Sequence, residues 1–395
     1  MNKHIEILKK TDCMGCTACE NICPKKCIEM KRDSEGYLYP QVDTCKCIEC
    51  GACKRICPMF NEGINKNELK DAKVLACVSK NDTVLMESSS GGVFSHLAYY
   101  IIENGGIVFG AMYDEKFNVI HSYIDKKENI GKMRGSKYVQ SDLRNTFSQA
   151  KEFLLKDKYV LFSGTPCQIA GLKNYLGKDY NKLFTCDFIC TGVPSPKLYQ
   201  AYIEYYKNEF SSEINDIQFR SKIKGWDNFS MLISTSRKKY IGSRYVDPYI
   251  QAQYSHISLR PACYECKFKE CQSGSDIKLG DYWFVKNIHP QIYDYNGVSL
   301  VILESEKGKR LFDSVSNGFK VVPSDIENVI RTNASFSVSP KIPQKREKYL
   351  NVIQNTCDYR EIVKCIKSLT KVSQKRKFII WLRNVKSKLI YRNKH

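Results

Sequence analysis

The chain has 395 residues, 43% hydrophobic, 12% aromatic and 26% charged; it is too long for one compact core, and neither general disorder nor a small disulfide-stapled domain fits that composition. Lys and Arg exceed Asp and Glu by a formal +20, which raises nucleic acid or an anionic membrane surface as partners. No run of eighteen apolar residues occurs, and the start, Met1 to Cys13, is charged where a secretory signal needs an apolar stretch, so a cytoplasmic location is expected. The positive excess is uneven: nine basic and no acidic residues lie between Lys371 and His395.

Ten of the 19 cysteines fall within the first 58 residues. In a chain read as cytosolic, such crowding argues for metal ligation, because the cytosol keeps thiols reduced. Cys13, Cys16, Cys19 and Cys23-Pro24 spell C-x2-C-x2-C-x3-C-P, and Cys47, Cys50, Cys53 and Cys57-Pro58 spell it again 34 residues later. Three thiolates two residues apart can wrap one corner of an iron–sulfur cube, while the fourth, set off by three residues and a proline turn, faces the other cube. The spacing therefore predicts crossed ligation: Cys13, Cys16, Cys19 and Cys57 for one [4Fe–4S] cluster, and Cys47, Cys50, Cys53 and Cys23 for a second. Zinc sites usually pair two short C-x2-C units, and triple runs would leave thiols unused. Cys27 and Cys45 fall outside the repeat and read as spare or supporting thiols. Residues 1–60 resemble a bacterial two-cluster ferredoxin, which implies an electron relay with no organic chemistry of its own.

A polar connector, 61–72, follows. Beyond it, strands are predicted at Lys73 to Val78, Ile107 to Tyr113, Tyr159 to Ser163 and Leu183 to Ile189, and helices at Gly92 to Glu103, Gln168 to Leu176 and Ser195 to Tyr206. That alternation is α/β. Three short stretches interrupt it. Ser88-Ser89-Ser90-Gly91-Gly92 opens a helix, as an anion site for a cofactor phosphate or as an ordinary N-cap. Arg134-Gly135-Ser136-Lys137-Tyr138 joins a cation, a flexible turn and an aromatic face. Ser163-Gly164-Thr165-Pro166-Cys167-Gln168 places Cys167 at a helix N-terminus, where the helix dipole is expected to lower its thiol pKa and suit it to nucleophilic, redox or metal-ligand roles. Cys186, Cys190, the pair Cys263 and Cys266, and Cys271 supply further thiols.

Taken in order, ESSSGGVFSHLA (87–98), RGSKYVQS (134–141), VLFSGTPCQIAGL (160–172), DFICTGVPSP (187–196), CYECKFK (263–269) and SDIKLGDYW (275–283) resemble the coenzyme F420 hydrogenase/dehydrogenase beta-subunit family over roughly 73–320. Residues 341–395 read as a basic helical tail from their charge and spacing; the resemblance implies an α/β (α+β) flavoprotein domain, 73–340, behind the small ferredoxin-type domain. It also implies a third [4Fe–4S] cluster on Cys167, Cys190, Cys263 and Cys266, with Cys186 and Cys271 as alternative ligands, and FAD held by Ser90, Gly91 and Gly92 and by Gly135, Ser136, Lys137 and Tyr138. Many bacterial relatives carry His where this chain has Thr191, and a threonine cannot titrate near neutral pH. Asp281, Tyr282 and Trp283 either line the same pocket or cap a strand.

The function expected is an iron–sulfur flavoprotein oxidoreductase. A ferredoxin-like one-electron partner would exchange electrons through the clusters with FAD, and FAD with a small-molecule substrate, either deazaflavin coenzyme F420 or a sugar or polysaccharide metabolite. The alternative is a non-catalytic electron-transfer subunit of a larger complex. No zinc-finger or RNP-type signature supports a nucleic-acid partner. Phe378, Leu382, Val385 and Leu389 recur at helical spacing among lysines and arginines, which reads as a basic amphipathic helix for peripheral membrane contact, for docking on a partner, or packed on its own domain.

Overall fold

A computed structural model of the chain describes residues 3–61 and 67–373. The basic amphipathic helix expected around Phe378 to Leu389 lies outside these residues. Among the described residues, no helix is long and apolar enough to cross a membrane.

The N-terminal cysteine repeat forms two short helices, α1 (Ala18–Ile22) and α2 (Ala52–Arg55), and an antiparallel hairpin of β1 (Ile28–Arg32) and β2 (Leu38–Val42). The two copies curl alike. Left-handed backbone at Gly15 and Thr17 (φ +67° and +57°) is repeated at Glu49 and Gly51 (φ +52° and +70°), so each triple-cysteine run turns around its own hollow.

The body is built on a mixed sheet whose strands are β3 (Lys73–Ser79), β4 (Ile107–Tyr113), β5 (Val119–Ile124), β6 (Val160–Ser163), β7 (Leu183–Phe188), β11 (Ile277–Asp281), β12 (Ser299–Leu303) and β13 (Phe319–Ser324), in the order β13-β3-β12-β11-β7-β6-β4-β5. Between β7 and β11 the chain makes a second sheet from β8 (Ile214–Ser221), β9 (Ser230–Thr235) and β10 (Lys239–Ser243). The larger sheet has a parallel centre, β4-β6-β7-β11, flanked by antiparallel strands. Its central strands read as near-continuous apolar runs because helices cover both faces: Val160, Leu161 and Phe162 of β6 and all five residues of β12 are buried.

The three helices expected from periodicity form, with others around them that the sequence reading did not place. After α3 (Asp82–Glu87), α4 (Val93–Glu103) buries Val93, Leu97, Ala98 and Ile101. Then come α5 (Thr146–Leu155), α6 (Pro166–Leu176), with Thr165 as N-cap and Pro166 at its first position, and α7 (Pro196–Phe210), capped by Ser195, whose side chain accepts from the Leu198 N–H. The helices Lys345–Asn355 and Tyr359–Leu369 bring Tyr349, Ile353, Ile362, Val363 and Ile366 into one core with α7 and the smaller sheet.

Topology also fixes where a site can form. Strands β6, β7 and β11 run parallel, and β3 shares their direction because β12 opposes both β3 and β11. The loops leaving β3, β6, β7 and β11 therefore emerge on one edge, the carboxyl edge at which open α/β sheets place their ligands.

Candidate redox site

Four of the expected thiols meet in each of three hollows. Cys13, Cys16, Cys19 and Cys57 line the first; Cys23, Cys47, Cys50 and Cys53 line the second. The fourth cysteine of each run is thus found with the other run's three, as crossed ligation requires. Cys27, expected to be a spare thiol, also lines the second hollow, whereas Cys45 is exposed and lines none of the three. Backbone N–H groups point at several sulfurs: Gly15 at Cys13 Sγ (3.3 Å), Ile5 at Cys53 Sγ (3.2 Å) and Glu49 at Cys47 Sγ (3.4 Å). Such donors stabilise thiolates and set cluster potentials.

The third hollow sits at the carboxyl edge. Cys167 comes from the first turn of α6, just beyond β6; Cys190 follows β7; Cys263 lies in the 3-10 turn Pro261–Glu265 and Cys266 at its end. Cys186 and Cys271 line none of it: Cys186 is buried in the sheet core, and Cys271 lies toward the buried Lys278 and Glu304. Thr191 lines the hollow and pairs its hydroxyl with Ser335 Oγ at 2.8 Å. Lys269 Nζ donates to the carbonyls of Cys190 and Ser335, both at 2.8 Å, holding a cation beside the thiols.

The expectation of a lowered Cys167 pKa is overturned. Burial raises it well above the usual thiol range, with the neighbouring Cys266, Cys190 and Cys263 adding to the effect; desolvation outweighs one helix terminus. Burial likewise pushes Cys190 up to about 12 and Cys263 to about 11. These thiols stay protonated until a cation replaces the protons, the behaviour of cluster ligands. The donor set therefore fits an iron–sulfur cluster. Among the described residues, no three His, Cys, Asp or Glu side chains close up around a single ion.

Met14 joins two of the sites. It is buried, lines both the first and the third hollow, and packs with Ala170, Ala262 and Phe268. On the same contact, a side chain at Gly171 of α6 would bring its Cβ within 2.9 Å of Cys16 Sγ. The helix that carries Cys167 thus lies directly against a thiol of the first hollow.

The two stretches expected to contact FAD also meet at this edge of the sheet. Ser136 N–H donates to Ser89 Oγ at 2.7 Å, and the two hydroxyls are 3.0 Å apart. Within these stretches several groups are already engaged: Ser90 Oγ donates to Val298 O (2.7 Å), Gly91 N–H to Ser299 Oγ (2.8 Å), and a Cβ at Gly91 would clash with Cys77 O at 2.1 Å. Gly92 takes φ +91° as N-cap of α4, and Gly135, at φ +81°, is open. Lys137 Nζ turns onto the carbonyls of Met133, Arg134 and Gly135, and burial lowers its pKa to about 7. The Tyr138 ring stands edge-on to Phe219.

Sequence reasoning missed the groups beside this wall. Lys222 Nζ donates to Leu85 O (2.6 Å) and Ser90 O (3.0 Å). Arg220, buried, forms an ion pair with Asp281, and its guanidinium lies over the rings of Phe229 and Trp283. Arg244 lies over Phe229 and Trp283 from its own strand end. Asp281 accepts from Trp226 Nε1 at 2.8 Å, and Trp226 stacks on Trp283 at 5.1 Å. Asp281 and Trp283 therefore belong to this cluster, while Tyr282 is wholly buried against Ser324. Isolated Arg and Trp residues carry no spacing signal, so only the fold assembles them.

Comparison with known proteins bears on this region. The family model that describes the C-terminal part of the coenzyme F420 hydrogenase/dehydrogenase beta subunit matches residues 157–329. That span contains Cys167, Cys190, Cys263, Cys266, Arg220 and Asp281, and it starts later than the resemblance read at 73–320. A chain in a solved structure of the F420-reducing [NiFe] hydrogenase complex from Methanosarcina barkeri is similar at a TM-score of 0.43 and 19% identity, over 78% of this chain and 92% of that one. Comparison with curated proteins gave no match. The match places residues 157–329 with the C-terminal part of the beta subunits of that family.

Proposed function

We propose that the chain is an iron–sulfur flavoprotein oxidoreductase that passes electrons between an external one-electron carrier and an organic substrate. The observation that carries the reading is the convergence of twelve named thiols, four by four, on three hollows, two of which share Met14. The path runs from the second hollow, whose Cys50 is exposed, through the first to the third. FAD, held along the wall of Ser89, Ser90, Ser136 and Tyr138, would convert single electrons into pairs. The family's description as a beta subunit supports a protein partner.

Arg220 and Arg244, gathered on the Trp283 and Phe229 rings beside that wall, support an anionic organic substrate; guanidinium forks match carboxylate and phosphate, and aromatic faces stack on rings. Coenzyme F420 and an acidic or phosphorylated sugar both satisfy this.

Anaerobic purification followed by iron, sulfide and flavin quantification tests the reading. About twelve irons and one flavin per chain are expected. Cys190→Ala should remove about a third of the iron and leave the N-terminal signals. Unchanged iron overturns the third-site ligands; iron without flavin leaves an electron-transfer subunit.

A further inference from the structure

The second hollow holds one thiol too many. Cys23, Cys47, Cys50 and Cys53 satisfy a cube, yet Cys27 lines the same space, buried at 6% exposure, with its sulfur 3.4 Å from Cys23 Sγ. A disulfide would close to about 2.05 Å, so these are two thiols in contact. Thiolates bound to different irons of one cube stand outward from their own irons and cannot touch, so one of the pair is in reserve at any moment.

The frame favours neither exclusively. Asp43 ties Cys27 to Cys47: its N–H donates to Cys27 O at 2.8 Å, and its carbonyl accepts from Cys47 N–H at 3.1 Å. Cys27 is thus fixed at the start of the hairpin facing a ligand of the triple run. Cys23 ends α1 and is only partly buried. The Cys27 N–H donates to Cys23 Sγ at 3.4 Å, a bond that supports the Cys23-bound form.

We infer that Cys27 is an exchangeable fourth ligand of the second cluster, so the site has two coordination forms that differ only in whether Cys23 or Cys27 holds the iron. In the exchange one iron–thiolate bond breaks as another forms. The proton leaving the Cys27 thiol passes to the freed Cys23 thiolate across their contact, and no electron is gained or lost. The two forms differ in N–H···S bonding and in exposure, both of which set cluster potential. The inference rests on reading this hollow as a cluster site.

The test uses the full chain, purified anaerobically, as wild type, Cys23→Ala, Cys27→Ala and the double variant. Each single variant should retain about twelve irons and the double about eight. The dithionite-reduced Cys23→Ala protein should keep a second-cluster EPR signal with shifted g-values. If Cys23→Ala falls to the iron content of the double, Cys27 is no ligand; if Cys27→Ala does so, exchange is absent; either overturns the inference. Wild type with no iron in the N-terminal unit instead overturns the cluster reading itself. Should Cys23→Ala fail to fold, Cys23→Ser replaces it, and Mössbauer spectroscopy distinguishes the all-sulfur coordination expected with Cys27 from the serine-oxygen coordination that would refute it.

Discussion

Gly171 shows how a single missing methyl lets a helix lie against a thiol of the first hollow. It lies in the middle of α6, where glycine costs about 1 kcal/mol relative to alanine, yet a Cβ there would stand 2.9 Å from both Cβ and Sγ of Cys16 and 3.5 Å from the Phe147 ring. Overpacking of this kind costs about 1–3 kcal/mol, so the clash outweighs the helix gain. Gly171→Ala is expected to lower stability by up to about 2 kcal/mol and, because the struck atom belongs to a proposed ligand of the first cluster, to lose that cluster's iron first. Cys167, one turn earlier on the same helix, should keep the third cluster. Iron content falling by about a third with the third-cluster signal intact would bear this out; full iron at wild-type stability would not.

Between elements, His121 fastens β5 to the strand end that launches α6. Its ring is buried, with Nδ1 2.8 Å from Ser141 Oγ and Nε2 2.9 Å from Ser163 O. Burial lowers its pKa from 6.5 to about 4. The folded pKa is depressed, so above pH 6.5 both folded and unfolded forms are neutral and the linkage costs nothing. As pH falls from 6.5 toward 4 only the unfolded chain takes up the proton, and stability drops by about 3 kcal/mol over that window. Thermal unfolding of wild type against His121→Gln should show this slope in wild type and a flatter curve in the variant; parallel curves would assign the acid sensitivity elsewhere. The elements themselves were legible in the sequence. Apolar runs and caps placed β3, β4, β6, β7, α4, α6 and α7 within a few residues, and cysteine spacing sorted eight thiols between two hollows. What stayed hidden depends on long-range packing: Arg220 and Asp281 lie 61 positions apart in the chain, and Cys27, off the repeat, enters the second hollow only because the hairpin carries it there. The helix-start argument at Cys167 failed for the same reason, since sequence shows the dipole and not the burial that overrides it.

At the scale of the whole molecule, one buried cation couples the N-terminal unit to the body. Arg260 is completely buried; Nε donates to Cys13 O (2.7 Å), Nη1 to Gln140 Oε1 (2.8 Å) and Nη2 to Leu38 O (2.9 Å), and the guanidinium lies 4.3 Å from the Tyr39 ring centre. Tyr37 reaches across the same junction to the carbonyls of Val193 and Ser258, and Glu35 pairs with Arg346 at 2.9 Å. Desolvation works against the Arg260 charge, and the groups that favour it are led by Cys13 and include Cys263, which line the first and third hollows respectively. On the proposed reading, a cation held between two anionic clusters would balance their charge and raise both potentials. Replacing it by Met removes a charge worth on the order of 1–2 kcal/mol at an effective dielectric near 20, or on the order of 50–100 mV for a one-electron couple. Arg260→Met should therefore shift the first and third clusters to more negative potentials and leave the second unchanged, while losing about 3–5 kcal/mol of stability. Arg260→Lys keeps the charge without the three-way fork, so it should destabilise the junction yet hold the potentials near wild type. Redox titrations followed by EPR separate the roles: equal potentials in all three proteins, with stability alone changed, would reduce Arg260 to a clamp.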